Sequence, residues 1–161
     1  MENLAQHPNI VGCKLSHGNL DDHTLVACNP KIDHKKFATF TGLGQQLLPL
    51  LTVGGAGAID GLAGIFPKTV VHLHKIFNSK GQDPAQKLAK MQELQFNICR
   101  GEKLVAKWGT TGIREAVSRV LGFGDADGGR LPLKGGFSGG DKEWENWKDA
   151  MDALKEIESK L

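Results

Sequence analysis

Short apolar runs alternate with amphipathic stretches along the first half of the chain. The first run is Asn9-Ile10-Val11-Gly12-Cys13-Lys14-Leu15-Ser16, closed by Gly18 and Asn19. It is brief and begins with β-branched residues, which predicts a buried strand. Leu20 to Cys28 then predicts a helix. Asn19 is its cap, Asp21 and Asp22 suit the positive end, and Pro30 follows the stop. Phe37 to Thr41 predicts a second short strand. Gly42-Leu43-Gly44 leads into Gln45–Thr52, a short apolar helix with Pro49 in its first turns, where a missing N–H is tolerated best. Residues 54–64 form a third strand-like segment, whose glycines imply that the backbone bends or that side chains would not fit.

The second half reads as helix. Pro67 to Asn78 places Val70, Val71, Leu73, His74 and Phe77 mostly on one side. Asp83 and Pro84 are the cap and first residue of a helix to about Cys99. Gly112 to Leu121 predicts another. Asp141 is the expected cap of the last, in which Trp144, Trp147, Met151, Leu154 and Ile157 recur every three or four residues as one apolar stripe. The Gly-, Pro- and Lys-rich stretch from Asp125 to Asp141 reads as an irregular connection. The order β-α-β-α-β-α followed by three helices predicts an α/β fold with a parallel sheet and right-handed crossovers.

At 161 residues the chain has the length of one domain. Apolar residues are 40% and charged residues 24%, the composition of a globular protein rather than a disordered one. The net charge of +2 is small and evenly spread, which argues against nucleic-acid and membrane partners. No run of apolar residues is long enough to span a bilayer. Met1–Asn9 shows no basic region followed by an apolar one, so no signal peptide is expected. The three cysteines, Cys13, Cys28 and Cys99, include no close pair. A disulfide framework or a paired-cysteine metal site is therefore not expected, and a reducing cytoplasm fits.

Lys14 is the residue with most chemical content. A lysine inside a buried strand is costly unless it is paired or neutral, and a neutral amine is a nucleophile toward carbonyls. It would sit near the C-terminal end of a parallel strand, where α/β folds place their ligands. The structural alternative is a lysine at a strand end or edge that reaches solvent. The glycine segment lacks the dinucleotide spacing, because Asp60 stands where the third glycine belongs, and Lys68-Thr69 follows Pro67 rather than glycine. His72 and His74, two apart on a helix, point to different faces, and no metal site is expected. Trp144 and Trp147 read as packing residues, and Lys31, His34, Lys35 and Lys36 as a solvated loop.

Three segments in register resemble a known family. Residues 9–19 (Asn-Ile-Val-Gly-Cys-Lys-Leu-Ser-His-Gly-Asn), Thr41-Gly42, and residues 54–61 (Gly-Gly-Ala-Gly-Ala-Ile-Asp-Gly) resemble the C-terminal half of the dihydrodipicolinate synthase / N-acetylneuraminate lyase family. The family consists of pyruvate-dependent class I aldolases on a (β/α)8 TIM barrel. Residues 112–117, continuing to Gly122, together with Arg130-Leu-Pro-Leu133, are most similar to the fungal branch. That branch includes 4-hydroxy-2-oxoglutarate aldolase and 2-keto-3-deoxy sugar acid aldolases. The resemblance runs from about His7 to Phe137. It implies a partial barrel in residues 1–80, with strand six at 9–16, strand seven at 37–41 and strand eight at about 57–61. Residues 81–161 would then be a C-terminal helical extension of the same domain. It further implies that Lys14 is the Schiff-base lysine for pyruvate or a 2-oxo acid, with Gly42, Ile59 and Ser16 lining the substrate pocket. No cofactor beyond the covalent imine is implied, the partner is a small-molecule substrate, and complete members are implied to be homo-oligomers.

Strands one to five have no counterpart in this sequence. With them go the paired threonines that hold the pyruvate carboxylate and the tyrosine that relays protons, and the chain contains no tyrosine. Gly109-Thr110-Thr111-Gly112 reads as a helix-to-helix connection rather than as that threonine loop. The chain therefore reads as a truncated aldolase, a lyase by family, for which full activity alone is not expected and inactivity alone is an open alternative. The alternative is a non-catalytic half-barrel that associates with full-length subunits.

Overall fold

The computed structural model describes residues 1–161. Nine main elements follow in order: α1 (Glu2–Ala5), β1 (Gly12–Leu15), α2 (Leu20–Ala27), β2 (Ala38–Thr41), α3 (Leu47–Thr52), β3 (Gly57–Ala58), α4 (Pro67–Asn78), α5 (Pro84–Ala116) and α6 (Gly140–Ser159). They divide into two compact units, Met1–Asp60 and Gly61–Leu161. The division groups α4 with the later helices.

The first unit is a three-stranded sheet in the order β1-β2-β3, parallel throughout. The strands are shorter than the apolar runs that predict them, because only the paired residues adopt ladder geometry. The register sets Lys14 beside Phe40 and Leu15 beside Thr41, and then Phe40 beside Gly57 and Thr41 beside Ala58. Side chains alternate across a sheet, and the two faces differ sharply in cover. Thr39 and Thr41 are buried on the face that meets α2 and α3, together with Leu47, Leu50 and Leu51. Helix α2 starts as its sequence predicts: the Asn19 side chain accepts the Asp21 N–H.

The second unit is helical. Its core is formed by Leu62, Ile65, Leu73, Ile98, Leu104 and Leu154, all nearly inaccessible. Three expectations are corrected here. Helix α5 does not stop at Cys99 but continues to Ala116, with one non-helical residue, Gly109 (φ 55°, ψ −136°). That kink lies in the segment expected to connect two helices. Asp141 does not cap α6, whose N-cap is Gly139; its carboxylate instead pairs with Arg119 Nη1 at 2.7 Å. Val71 is exposed, and the buried side of α4 is made by Thr69, Val70, Leu73 and Ile76. The connection before α6 is irregular, as its composition predicts. Arg114 donates to the carbonyls of Ala126, Leu133 and Gly135, and buried Glu115 accepts the Phe137 N–H at 2.7 Å.

Candidate active site

The C-terminal ends of the three strands bring the chemically interesting residues to one face. One step beyond the paired residues, the Gly42 N–H donates to the Leu15 carbonyl (2.7 Å) and the Ile59 N–H to the Thr41 carbonyl (2.9 Å). Lys14, Phe40 and Gly57 therefore form one row across the sheet, and Ser16, Gly42 and Ile59 form the next row on the same face.

Gly42 is the floor of this cluster. A β-carbon there would fall on the Ser16 hydroxyl and come within 2.7 Å of Ser16 Cβ and 2.8 Å of Lys14 Cε. The amine stem of Lys14 and the hydroxyl of Ser16 thus converge over the only side chain small enough to admit both. Ile59 stands at the far end of the row and is 53% exposed. Phe40, beside Lys14, was not among the residues the sequence singled out. Its signal was present: it is the large residue of β2 on the parity opposite to Thr39 and Thr41.

Lys14 is exposed, which overturns the expectation of a lysine inside a buried strand and agrees with the edge-strand alternative. The cause is topological. β1 has a neighbour on one side only, and its Lys14 face is not the one that meets α2 and α3. Its amine enters no ion pair. Cys13, the preceding residue, lies on the opposite face of the strand, and burial pushes its thiol above the ordinary range.

The loops that follow the strands are tied to each other. Thr41 Oγ1 donates to Gln46 Oε1 at 2.9 Å, and Gln46 Nε2 donates to the Gly18 carbonyl at 2.7 Å. His23 is fully buried, with Nδ1 2.7 Å from the Asn19 carbonyl oxygen and Nε2 3.2 Å from that of Leu15. The sequence pattern alone assigns His23 no role. The missed signal is its place four residues after the Asn19 cap, on the turn of α2 that faces back toward β1. No group of three or more His, Cys, Asp or Glu side chains is placed to hold a metal ion. No helix is long and apolar enough to cross a membrane.

Comparison with known proteins decides the family. The model of the dihydrodipicolinate synthetase family matches residues 1–120. The chain belongs to this family. Among curated relatives of family type, an L-threo-3-deoxy-hexylosonate aldolase of Hypocrea jecorina is 33% identical over 136 residues, covering 81% of this chain and 41% of the relative. A mitochondrial protein of Emericella nidulans, assigned as a 4-hydroxy-2-oxoglutarate aldolase, is 31% identical over 121 residues, covering 75% of this chain and 36% of the relative. A solved dihydrodipicolinate synthase family protein of Coccidioides immitis superposes with a TM-score of 0.75 at 25% identity, covering 97% of this chain and 49% of that one. The chain thus spans about half the length of the family members it matches. Both named aldolases are fungal, the branch its residues 112–133 resemble.

Proposed function

We propose that this chain carries the imine-forming part of a pyruvate-dependent class I aldolase, with Lys14 as the nucleophile. The sheet then corresponds to strands six to eight of a (β/α)8 barrel. The observation that carries the reading is the convergence of Lys14 and Ser16 over Gly42 at the C-terminal ends of parallel strands. Both fungal relatives are named as aldolases, and the 4-hydroxy-2-oxoglutarate named for one of them has the 2-oxo acid and C4 hydroxyl that a retro-aldol step requires.

The unprotonated Lys14 amine adds to the C2 carbonyl of the 2-oxo acid and loses water, giving a protonated imine. That imine draws electrons from the C3–C4 bond. The bond breaks as the C4 hydroxyl gives up its proton, leaving an aldehyde and an enamine. Protonation of the enamine at C3 and hydrolysis of the imine release pyruvate and restore Lys14. Ser16, Gly42 and Ile59 line the place where the 2-oxo acid lies. With no tyrosine in the chain, a phenol does not move the protons here. Proton transfer is typically worth about 10²–10⁴-fold, so turnover by this chain alone is slow, and a reducing compartment suits its free thiols.

Borohydride reduction in the presence of pyruvate, followed by intact mass and peptide mapping, tests the assignment. A single adduct on Lys14 is expected. Labelling scattered over surface lysines, or none, would sink it. The exposure of Lys14 and Ile59 on an open sheet face supports a second reading, a non-catalytic half-barrel that pairs with a complementary chain. On that reading an adduct forms only when full-length subunits are added.

A further inference from the structure

We propose that His23 is a positioning residue for the Lys14–Ser16–Gly42 cluster, acting through the Leu15 carbonyl. The proposal rests on the aldolase reading of that cluster. Leu15 lies between Lys14 and Ser16, so whatever fixes its peptide group fixes the direction of both side chains. Its carbonyl oxygen is engaged twice. Gly42 N–H donates to it at 2.7 Å from β2, and His23 Nε2 stands 3.2 Å away from the side of α2. The other ring nitrogen, Nδ1, is 2.7 Å from the Asn19 carbonyl. The imidazole therefore spans the loop of residues 16–18, from the last residue of β1 to the cap of α2. Gln46 holds the same loop from the β2 side, through the Gly18 carbonyl.

Burial makes this arrangement informative. His23 is 0% exposed, and its neighbours in that layer include Ala27 and the helix-facing side of the sheet. A buried polar ring costs free energy unless its polar atoms are bonded, and a leucine would fill comparable space without that cost. Both ring nitrogens face carbonyl oxygens, and a ring N–H can donate there as leucine cannot; one of those carbonyls belongs to the peptide that aims Lys14. His17 is the nearest other ring, tilted at 5.3 Å, and remains exposed. It holds the Asn19 N–H through Nδ1 at 3.2 Å and touches neither the Leu15 nor the Asn19 carbonyl.

The two ring nitrogens can be replaced one at a time. Glutamine sets its amide nitrogen where Nε2 lies, toward Leu15, and asparagine sets its own where Nδ1 lies, toward Asn19. The full chain and its His23→Gln, His23→Asn and His23→Leu variants are compared by the rate of borohydride-trapped pyruvate adduct at Lys14. Amide exchange at Gly42, whose N–H is bonded to the same carbonyl, is followed in parallel. His23→Gln is expected to trap at close to the parent rate. His23→Asn and His23→Leu should trap about ten- to a hundredfold more slowly, as a misaimed reacting group does, with faster exchange at Gly42. A His23→Asn or His23→Leu variant that traps at the parent rate overturns the proposal, as does failure of His23→Gln to rescue. If His23→Leu does not fold, the Gln-against-Asn comparison decides. If the parent chain itself gives no adduct, the aldolase reading fails. Gly42 exchange then decides the positioning role: protection retained by Gln and lost by Asn upholds it, and equal exchange overturns it.

Discussion

One added methyl group at position 42 separates space from backbone strain. Gly42 does not adopt a left-handed conformation, so alanine suits the backbone angles there, and the nearest atoms to its β-carbon belong to the side chains of Ser16 and Lys14. Ser16 Oγ and Lys14 Cε can rotate away, but Ser16 Cβ, 2.7 Å from that β-carbon, is fixed to the backbone just beyond β1, so relief also requires the chain to shift. Gly42→Ala is therefore expected to fold but melt below the parent temperature, with imine trapping at Lys14 falling by at least about tenfold. Unchanged trapping would show that the convergence over Gly42 is not what aims the amine. A second single residue controls acid stability. Glu143 Oε1 accepts from Lys107 Nζ (2.8 Å), Trp108 Nε1 (2.7 Å) and Trp147 Nε1 (2.9 Å), and Oε2 accepts from Asn146. These bonds, led by that from Lys107, lower its carboxyl from 4.5 to about 2. A lowered folded-state value favours the native state above the unfolded value and loses that contribution as pH falls. The stability gap between the parent chain and Glu143→Gln should be full above pH 4.5 and should close as pH approaches 2. Urea titrations across that range measure it, and a gap independent of pH would refute the account.

Helix starts illustrate what a sequence can and cannot convey at the scale of elements. α4 begins after Phe66 with no capping side chain of its own, yet the first N–H groups of a helix need partners. They find them on α6: Glu158 accepts Lys68 N–H at 2.8 Å and Thr69 N–H at 2.7 Å, and the Thr69 hydroxyl at 2.6 Å. Loss of a cap typically costs about 0.5–2 kcal/mol. Glu158→Ala should lower unfolding stability in urea by about that much, and Glu158→Gln, which keeps one acceptor oxygen, by less. Equal stability in all three proteins would remove Glu158 from this role. Caps supplied from within the helix, Asn19 for α2 and Asp83 for α5, were legible because residue type and position suffice. Glu158 was not, because nothing local connects it to a helix start 89 residues away. The length of α5 was hidden for a related reason. Arg100-Gly-Glu-Lys103 reads as a polar break, but Gly101 is buried against Leu154 and Leu62, and Glu102 Oε1 lies 3.4 Å from the Leu62 N–H. Tertiary packing carries the helix through residues whose local preference would end it.

At the scale of the whole chain, strand order and the alignment of Lys14, Ser16, Gly42 and Ile59 on one face follow from period-two alternation and parallel register. The exposure of that face does not. An apolar run reports that a strand can be buried, not how many strands flank it, and Val11 at 72% exposed and Ile59 at 53% exposed show the difference. The same contrast sets the pattern of local stability. β1 and β3 are edge strands of four and two residues, with one face of their sheet largely open. The helical unit encloses Ile98, Leu104 and Leu154 at 0% exposure. Local opening free energies follow buried contact and protected hydrogen bonds. Hydrogen exchange read by mass spectrometry should therefore show peptides spanning residues 12–15 and 57–58 exchanging well before those spanning 91–104. Reduction of a pyruvate imine onto Lys14 should slow exchange at 12–15 and leave 91–104 unchanged. Simultaneous exchange of both regions would mean that the sheet is as well protected as the helices, and that the open face is not what limits how firmly the Lys14 side chain is held in place.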